Sequence, residues 1–147
     1  MVDIGGKQES LRTAVASSRV VFPESVYQSL VQWESGGAKN KKGPVFQTAV
    51  LAGIQAAKKT SELIPLCHPL RMNDCQIQIT LSPPNACAIL CRVTAHDRTG
   101  VEMEALTGVS VAALTVYDMC KALSHDITIE NTQLRKKTGG KHGFKKE

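Results

Sequence analysis

The chain has 147 residues and a formal net charge of +5; 42% of its residues are hydrophobic, 21% are charged and 4% are aromatic. This length and composition predict one globular domain over 1–147 with an aliphatic core, and they leave too few aromatic rings for a protein that stacks single-stranded nucleic acid. The five cysteines include no CxxC pair and the sequence has no signal peptide, transit peptide or apolar span, which predicts a cytoplasmic protein that does not bind a membrane.

The first half of the chain predicts one strand followed by two helices. Residues 1–10 are polar and contain glycine, so they are predicted to form a mobile arm. An Ala/Val-rich stretch with partial alternation predicts a strand over 12–22, and the helical spacing of the next apolar residues predicts a helix over 23–33. The Gly- and Lys-rich segment 34–43 is typical of a loop. A helix over 44–60 then presents a stripe of small residues, against which another backbone can pack closely.

The second half predicts a hairpin, a long helix and a last strand. Clean alternation predicts a strand over 75–81, and its partner follows over 86–96 after a Pro-Pro-Asn turn. The helix spans 99–123 and the last strand 126–137, and the end of the chain, 138–147, is a second predicted mobile arm. The resulting order, βααββαβ, contains the split βαβ pattern. We therefore expect a ferredoxin-like α+β fold whose antiparallel sheet carries its helices on one face.

The long helix carries acidic residues near both ends. Asp118 and Lys121 are three residues apart and are therefore neighbours on its surface. Either they form an exposed ion pair, worth ~0–1 kcal/mol, or the carboxylate tunes the lysine inside a pocket. The uncharged stretch 105–117 favours partial burial of the pair.

Glu104 lies fourteen residues from Asp118, which is ~21 Å along a straight helix. Unless the ends serve separate sites or a long ligand, this separation predicts a two-fold dimer with antiparallel helices and sites at or near the interface.

A Cys-His pair stands in the loop "LIPLCHPL", residues 63–70. A metal site needs three or four ligands at recognisable spacing, and the other three histidines show none. A nucleophile and its base must face each other, whereas adjacent side chains of an extended loop, Cys67 and His68, point apart. Pro65 and Pro69 favour a rigid loop that presents His68 as a hydrogen-bond donor or proton carrier, with Cys67 buried; a purely structural histidine is the alternative.

Two glycine-rich segments are cationic: "KNKKGPV" over 39–45 and "KTGGKHG" over 137–143. The first precedes a helix, where backbone N–H groups and lysines together attract phosphate. Neither is a Walker A loop, and each taken alone is equally typical of a flexible basic loop. Together with Arg12 they favour a ligand that carries several phosphates.

Three longer segments carry a resemblance to a known family. They are "AGIQAAKKTSELIPLCHPL" (52–70), "TGVEMEALTGVSVAALTVYDMCKA" (99–122) and "KTGGKHG" (137–143), and the opening "MVDIGGK" is similar too. These segments resemble the MoaC family of cyclic pyranopterin monophosphate synthases, which act in molybdenum cofactor biosynthesis. The resemblance implies a ferredoxin-like fold and a homohexamer of three dimers, with active sites at the dimer interface.

The resemblance also implies the reaction. It is that of a phosphorus–oxygen lyase, which converts (8S)-3′,8-cyclo-7,8-dihydroguanosine 5′-triphosphate to cyclic pyranopterin monophosphate and diphosphate. No metal site and no redox cofactor are implied, although Mg²⁺ can accompany the triphosphate. The only partners implied are the nucleotide-derived substrate and further copies of the chain, without nucleic acid or membrane.

Roles for individual residues follow from the same resemblance. Asp118 and Lys121 match the family's catalytic aspartate and lysine, and Lys42 matches the lysine before the loop glycine. We expect Lys121 to carry protons with a pKa lowered towards neutrality by desolvation, and Asp118 to position it. The residues that match substrate-contacting positions are Leu66, Cys67, His68, Glu102, Met103 and Glu104, with Arg12 and Lys141 for the phosphates.

The chain departs from the family pattern in places, and the sequence also allows a second function. The sequence departs from the family pattern at Pro44, at His142 and over 22–41, so the loop conformations are not predicted. An alternative function is that of a basic ferredoxin-like module, which binds a nucleotide or nucleic acid without reacting it. This alternative predicts that Asp118 and Glu104 both lie on exposed faces, and that oligonucleotide binding weakens steeply with salt.

Overall fold

The fold is described for residues 1–146, from a computed structural model. The strands are β1 (Ser10–Val21), β2 (Met72–Ser82), β3 (Ala86–Asp97), β4 (Thr128–Thr138) and β5 (Phe144–Lys145). The helices are α1 (Glu24–Glu34), α2 (Val45–Lys58), α3 (Thr60–Leu63) and α4 (Glu102–Cys120). The predicted order of the main elements is confirmed, and α3 and β5 are additions. With four and two residues, these elements are too short for a periodic pattern to reveal them.

The strands form one antiparallel sheet in the order β2-β3-β1-β4-β5. This sheet and its helices confirm the predicted α+β, ferredoxin-like class. β5 extends the sheet at its β4 edge, where Lys136 pairs with Lys145 and Lys137 pairs with Phe144. None of the helices described between residues 1 and 146 combines the length and the apolar character needed to cross a bilayer.

The two longest helices lie on one face of the sheet because that face is the apolar one. α2 contacts β2, α4 contacts β1, β3 and β4, and the two helices pack against each other. Side chains alternate between the two faces of a strand, and the helix-facing positions of β1 and β3 are buried. These positions are Ala14, Ala16, Ser18 and Val20 in β1, and Cys87, Ile89, Cys91 and Val93 in β3. α4 is therefore held across the centre of the sheet, and its two ends carry candidate site residues.

α2 and α4 approach each other closely at two glycines. A Cβ on Gly53 would lie 2.7 Å from Gly108 O, and a Cβ on Gly108 would lie 2.8 Å from the Cys91 Sγ of β3. The small residues of α2, predicted to allow close packing, therefore do so against α4 within the chain.

Candidate active site

A cluster of two lysines and one aspartate lies at the C-terminal end of α4. Lys42 Nζ is 2.7 Å from Asp118 Oδ2, and Lys121 Nζ is 2.8 Å from Asp118 Oδ1. Lys121 is a neighbour of Asp118, as the spacing predicted, and Lys42 comes from the loop between α1 and α2. We call these residues the lysine–aspartate cluster; the fold brings all three predicted catalytic residues together within one chain.

The loop that carries Lys42 also caps α4. The last four carbonyl groups of a helix lack partners within it. Two of them accept hydrogen bonds from this loop: Asp118 O from Lys42 Nζ at 2.9 Å, and Met119 O from Asn40 Nδ2 at 2.8 Å. Lys42 and Lys121 both stand at the negative end of the helix dipole, where cations are stabilised. The cluster is therefore held by the helix terminus as well as by its ion pairs.

The members of the cluster shift each other's protonation. Hydrogen bonds from Lys121 and Lys42 lower the pKa of Asp118 to about 2, and the bond to Asp118 raises the pKa of Lys121. The expected lowering of the Lys121 pKa by desolvation is therefore wrong for the single chain, in which the Lys121 and Asp118 side chains are 46% and 52% exposed. Lys121 is here a protonated donor beside an ionised carboxylate.

Six of the residues predicted to contact substrate line one cavity. It has a volume of about 450 Å³ and lies between the loop after α3 and the first turn of α4. The loop contributes Leu66, Cys67 and His68, the helix contributes Glu102, Met103 and Glu104, and the N-terminal arm contributes Met1, Val2, Ile4 and Lys7. We call this cavity the loop pocket.

Two groups in the loop pocket have raised pKa values. Glu104 is only 4% exposed, and this burial raises its pKa to about 7. Burial and then the Glu104 carboxylate raise the pKa of the Cys67 thiol, which is half-buried where we expected it to be buried. A thiol kept protonated is a poor nucleophile. The binding-module alternative predicted two exposed carboxylates; Asp118 is exposed, but the burial of Glu104 contradicts it.

A second cavity adjoins the loop pocket and is lined by cations. It has a volume of about 850 Å³ and shares Lys7, Gly100 and Glu102 with the loop pocket. Arg12 and Lys141, both predicted to hold phosphate, line it. The other basic side chains in its lining are Lys7, Arg98, Lys137 and His142. We call this second cavity the cationic cavity.

Lys137 is a candidate site residue that the sequence did not single out. Its Nζ lies 3.0 Å from Glu102 Oε1, so it joins β4 to the first turn of α4 beside both cavities. The sequence showed that Lys137 belongs to a cationic glycine-rich segment, but it did not show which lysine of that segment faces the cavity. The register between β4 and β1 shifts near Val15, and such a shift defeats simple alternation.

The lysine–aspartate cluster lines neither cavity. Asp118 and Glu104 stand at opposite ends of α4, about 21 Å apart along its axis. One chain therefore brings the predicted residues into two groups and leaves the groups apart. Over residues 1–146, no three or more His, Cys, Asp or Glu side chains are grouped so that they could hold a metal ion.

A family model described as "MoaC family" matches residues 1–140. A Xanthomonas campestris pv. campestris (strain B100) protein named cyclic pyranopterin monophosphate synthase is 52% identical over 141 residues, which cover 96% of this chain and 84% of that protein. A Helicobacter pylori (strain J99) protein of the same name is 47% identical over 145 residues, which cover 97% of this chain and 88% of that protein. Molybdenum cofactor biosynthesis protein 1 of Dictyostelium discoideum is 46% identical over 154 residues, which cover 96% of this chain and 24% of that protein. The chain therefore belongs to the MoaC family, as its quoted segments predicted.

Proposed function

We propose that the chain is a cyclic pyranopterin monophosphate synthase of molybdenum cofactor biosynthesis. As a phosphorus–oxygen lyase, it converts (8S)-3′,8-cyclo-7,8-dihydroguanosine 5′-triphosphate to cyclic pyranopterin monophosphate and diphosphate. Membership of the MoaC family and the names of two relatives that align over more than four fifths of their length support this proposal.

One structural observation carries the proposal: both groups of candidate residues reach the same outward face of α4. Met103 stands in the loop pocket at one end of this face, and Asp118 belongs to the lysine–aspartate cluster at the other. Helical spacings of four, three, four and four residues connect them through Thr107, Ser110 and Leu114, none of which is buried. We call this line of five residues the α4 stripe. Its apolar members, Met103 and Leu114, are 37% and 58% exposed in the single chain, which favours a partner.

When two copies pair along the α4 stripe in antiparallel orientation, the N-terminal end of each α4 lies beside the C-terminal end of the other. In a two-fold contact, residue i of one copy meets residue j of the other, and j meets i. With the axis near Ser110, the lysine–aspartate cluster of each copy approaches the loop pocket of its partner. The dimer thereby completes two sites, and three such dimers form the proposed homohexamer.

The lysine–aspartate cluster moves protons in the proposed reaction. The reaction opens a reduced purine ring, rebuilds it as a pterin and closes a cyclic phosphate, so each step needs an acid or a base. Lys121, held by Asp118, is protonated when the substrate binds. The substrate and the loop pocket of the partner copy then exclude water from Lys121 and lower its pKa, so it donates a proton to the substrate, and the amine that remains can accept one in a later step. Lys42 acts as a second acid or base, or neutralises the triphosphate.

The loop pocket binds the ring system of the substrate. Glu104 is suited to the guanine-derived amino group, because a carboxyl with a pKa of about 7 ionises readily when a donor approaches. His68 donates to ring or phosphate oxygens, or carries a proton. Leu66, Cys67 and Met103 contact the ring, while Glu102 holds Lys137 at the border with the cationic cavity.

The cationic cavity holds the phosphates. Arg12 and Lys141 stabilise the charge of the departing diphosphate, and Lys137 and Arg98 add further positive charge. Mg²⁺ can accompany the triphosphate as a counter-ion. No redox cofactor takes part, because the product and diphosphate together have the atoms and the oxidation level of the substrate. The enzyme acts in the cytoplasm, without a nucleic acid or membrane partner.

Mixing two inactive variants tests the shared site. Lys121→Ala removes the proton carrier and His68→Ala removes the pocket donor, and each alone should lower turnover of the cyclised triphosphate by at least about a hundredfold. When equal amounts are unfolded and refolded together, about half of the dimers are mixed, and each mixed dimer contains one site with both residues intact. The mixture should therefore regain about a quarter of wild-type activity.

The control is a mixture of Lys121→Ala with Asp118→Asn. Both changes lie in the same cluster, so no mixed dimer gains an intact site and activity stays absent. Circular dichroism and light scattering check that every variant is folded and assembled. An inactive first mixture of folded, assembled protein contradicts the shared site, whereas wild-type protein without turnover contradicts the function itself.

A further inference from the structure

We infer that Asn40 is a positioning residue, which anchors the loop that presents Lys42 to Asp118. The inference rests on the role of Lys42 in the proposed function, and Asn40 itself lines neither cavity. Residues 35–39 are exposed, and so are Lys41 and Lys42, whereas Asn40 is half-buried. Asn40 is therefore the least exposed residue of the segment 35–42, and it contacts the end of α4.

Both the nitrogen and the oxygen of the Asn40 side-chain amide form hydrogen bonds. Its Nδ2 donates to Met119 O at the C-terminal end of α4, and its Oδ1 accepts from Lys42 N, each over 2.8 Å. Its backbone carbonyl accepts a third hydrogen bond from Gly43 N at 3.0 Å, and Gly43 has a φ of +100°. The turn over 40–43 is therefore closed by its own hydrogen bonds, and the Asn40 amide joins it to α4 beside the bonds that the Lys42 side chain makes to Asp118.

The tie matters because Lys42 reaches its partner through a long side chain. That side chain is 46% exposed, and ordering it costs conformational entropy. Asp118 O and Met119 O are consecutive carbonyls, so Lys42 Nζ and Asn40 Nδ2 bind side by side at the same helix end. Anchoring the backbone of Lys42 there limits the positions that its amine can occupy. An asparagine amide offers the required donor and acceptor together, whereas an aspartate lacks the donor.

A double-mutant cycle of Asn40→Ala with Lys42→Ala tests this role. Loss of the anchor should lower kcat/KM by about tenfold in the wild-type background, the size expected for one or two lost hydrogen bonds. In the Lys42→Ala background the same change should lower kcat/KM by less than about twofold, because Asn40 acts through Lys42. Asn40→Asp, which keeps the acceptor and loses the donor, should resemble Asn40→Ala.

Asn73→Ala is the matched control. The Asn73 Oδ1 also accepts a backbone hydrogen bond, from His96 N at 2.8 Å, and Asn73 belongs to neither cavity nor the cluster. Its replacement removes the same side chain and a comparable bond, and should leave kcat/KM unchanged.

Titration of Asp118 by carbon-13 NMR supplies a readout that does not depend on catalysis. The pKa of Asp118 should rise in Lys42→Ala, because one of its two lysine donors is removed, and should rise by less in Asn40→Ala, because Lys42 is then held less firmly at Asp118. An unchanged Asp118 pKa in Asn40→Ala, or an equal loss of kcat/KM in both backgrounds, overturns the inference. If the Ala variant does not fold, Asn40→Asp carries the kcat/KM test alone, because its own carboxylate raises the Asp118 pKa directly. If the pKa rises while Lys42→Ala keeps full activity, the anchor stands and the proposed role of Lys42 fails.

Discussion

Glu104 and Asp118 are carboxylates on the same helix, and their pKa values are shifted in opposite directions. Glu104 lies in the first turn of α4, where the helix dipole favours an anion, yet burial outweighs the dipole and raises its pKa to about 7. Asp118 lies in the last turn and accepts hydrogen bonds from two lysines, which lower its pKa to about 2. Local solvation and partners, and not the position along the helix, therefore decide the protonation of each residue.

Glu104→Gln should raise stability at pH 8 and leave it nearly unchanged at pH 4.5. The pKa of Glu104 rises from 4.5 to about 7 on folding, so the folded chain binds more protons between these values and loses stability as the pH rises through them. Gln removes this loss, which is on the order of 3 kcal/mol. Thermal unfolding as a function of pH measures this difference in stability. The measurement uses a Leu114→Arg background, which should prevent the proposed dimer from forming and so keeps the lysines of a second copy away from Glu104. Glu62→Gln, which removes an exposed carboxylate, is the control; a Glu104→Gln effect independent of pH contradicts the buried carboxyl.

At the scale of elements, the site depends on how closely α2 approaches α4. The loop before α2 carries Lys42 and Asn40, so the position of α2 sets the distance from this loop to the end of α4. Gly53 allows the approach, because a Cβ there would meet Gly108 O and the Ile77 side chain. Backbone atoms move less easily than side-chain ends, so this contact resists any larger residue.

Gly53→Ala should destabilise the fold although alanine is the better helix former. The helix-propensity gain is about 1 kcal/mol, and overpacking against the Gly108 backbone costs ~1–3 kcal/mol. We therefore expect a net loss of about 1 kcal/mol in the free energy of unfolding, measured by urea titration. Gly6→Ala, where an added Cβ meets nothing within 4 Å, should change that free energy by less than about 0.5 kcal/mol. A Gly53→Ala protein as stable as wild type would show that the helices can separate without cost.

At the scale of the whole molecule, the candidate site is divided between the two ends of α4. The loop pocket and the cationic cavity adjoin each other through Lys7, Gly100 and Glu102, and the lysine–aspartate cluster lies apart from both. The α4 stripe connects these regions along an outward face. The proposed two-fold pairing along the stripe would bring the candidate acid–base groups of one copy to the candidate binding groups of the other without any change within either chain.

Leu114→Arg should dissociate the assembly and leave the chain folded. The side chain is 58% exposed in the single chain, so the fold tolerates the change, but in the proposed dimer it buries an unpaired charge at the stripe. We expect a smaller species by light scattering, an unchanged circular dichroism spectrum and a loss of turnover of about a hundredfold or more. Gln32→Arg adds the same charge at an exposed position of α1 and should alter neither the assembly nor the turnover. A dissociated Leu114→Arg protein with full turnover would show that one chain suffices.

Much of the fold and part of the site could be predicted, because their signals are local. Alternation and helical spacing identified β1–β4, α1, α2 and α4. Asp118 and Lys121 are three residues apart, so a helix alone makes them neighbours. His68 and its loop neighbours are consecutive, so they enter the loop pocket together. The bond between Lys42 and Asp118 joins residues 76 positions apart, and no local pattern reports it.

The sequence by itself determined the order of the main elements, the α+β class, the family and the identity of most candidate residues, because periodicity and contiguous motifs need no knowledge of what packs against them. Only the tertiary structure decided that Glu104 is buried, that Asn40 caps α4, that Lys137 meets Glu102 and that Lys121 is protonated rather than neutral. Protonation and hydrogen bonding depend on solvent exclusion and on partners distant in the chain, and these exist only once the helices and strands have packed.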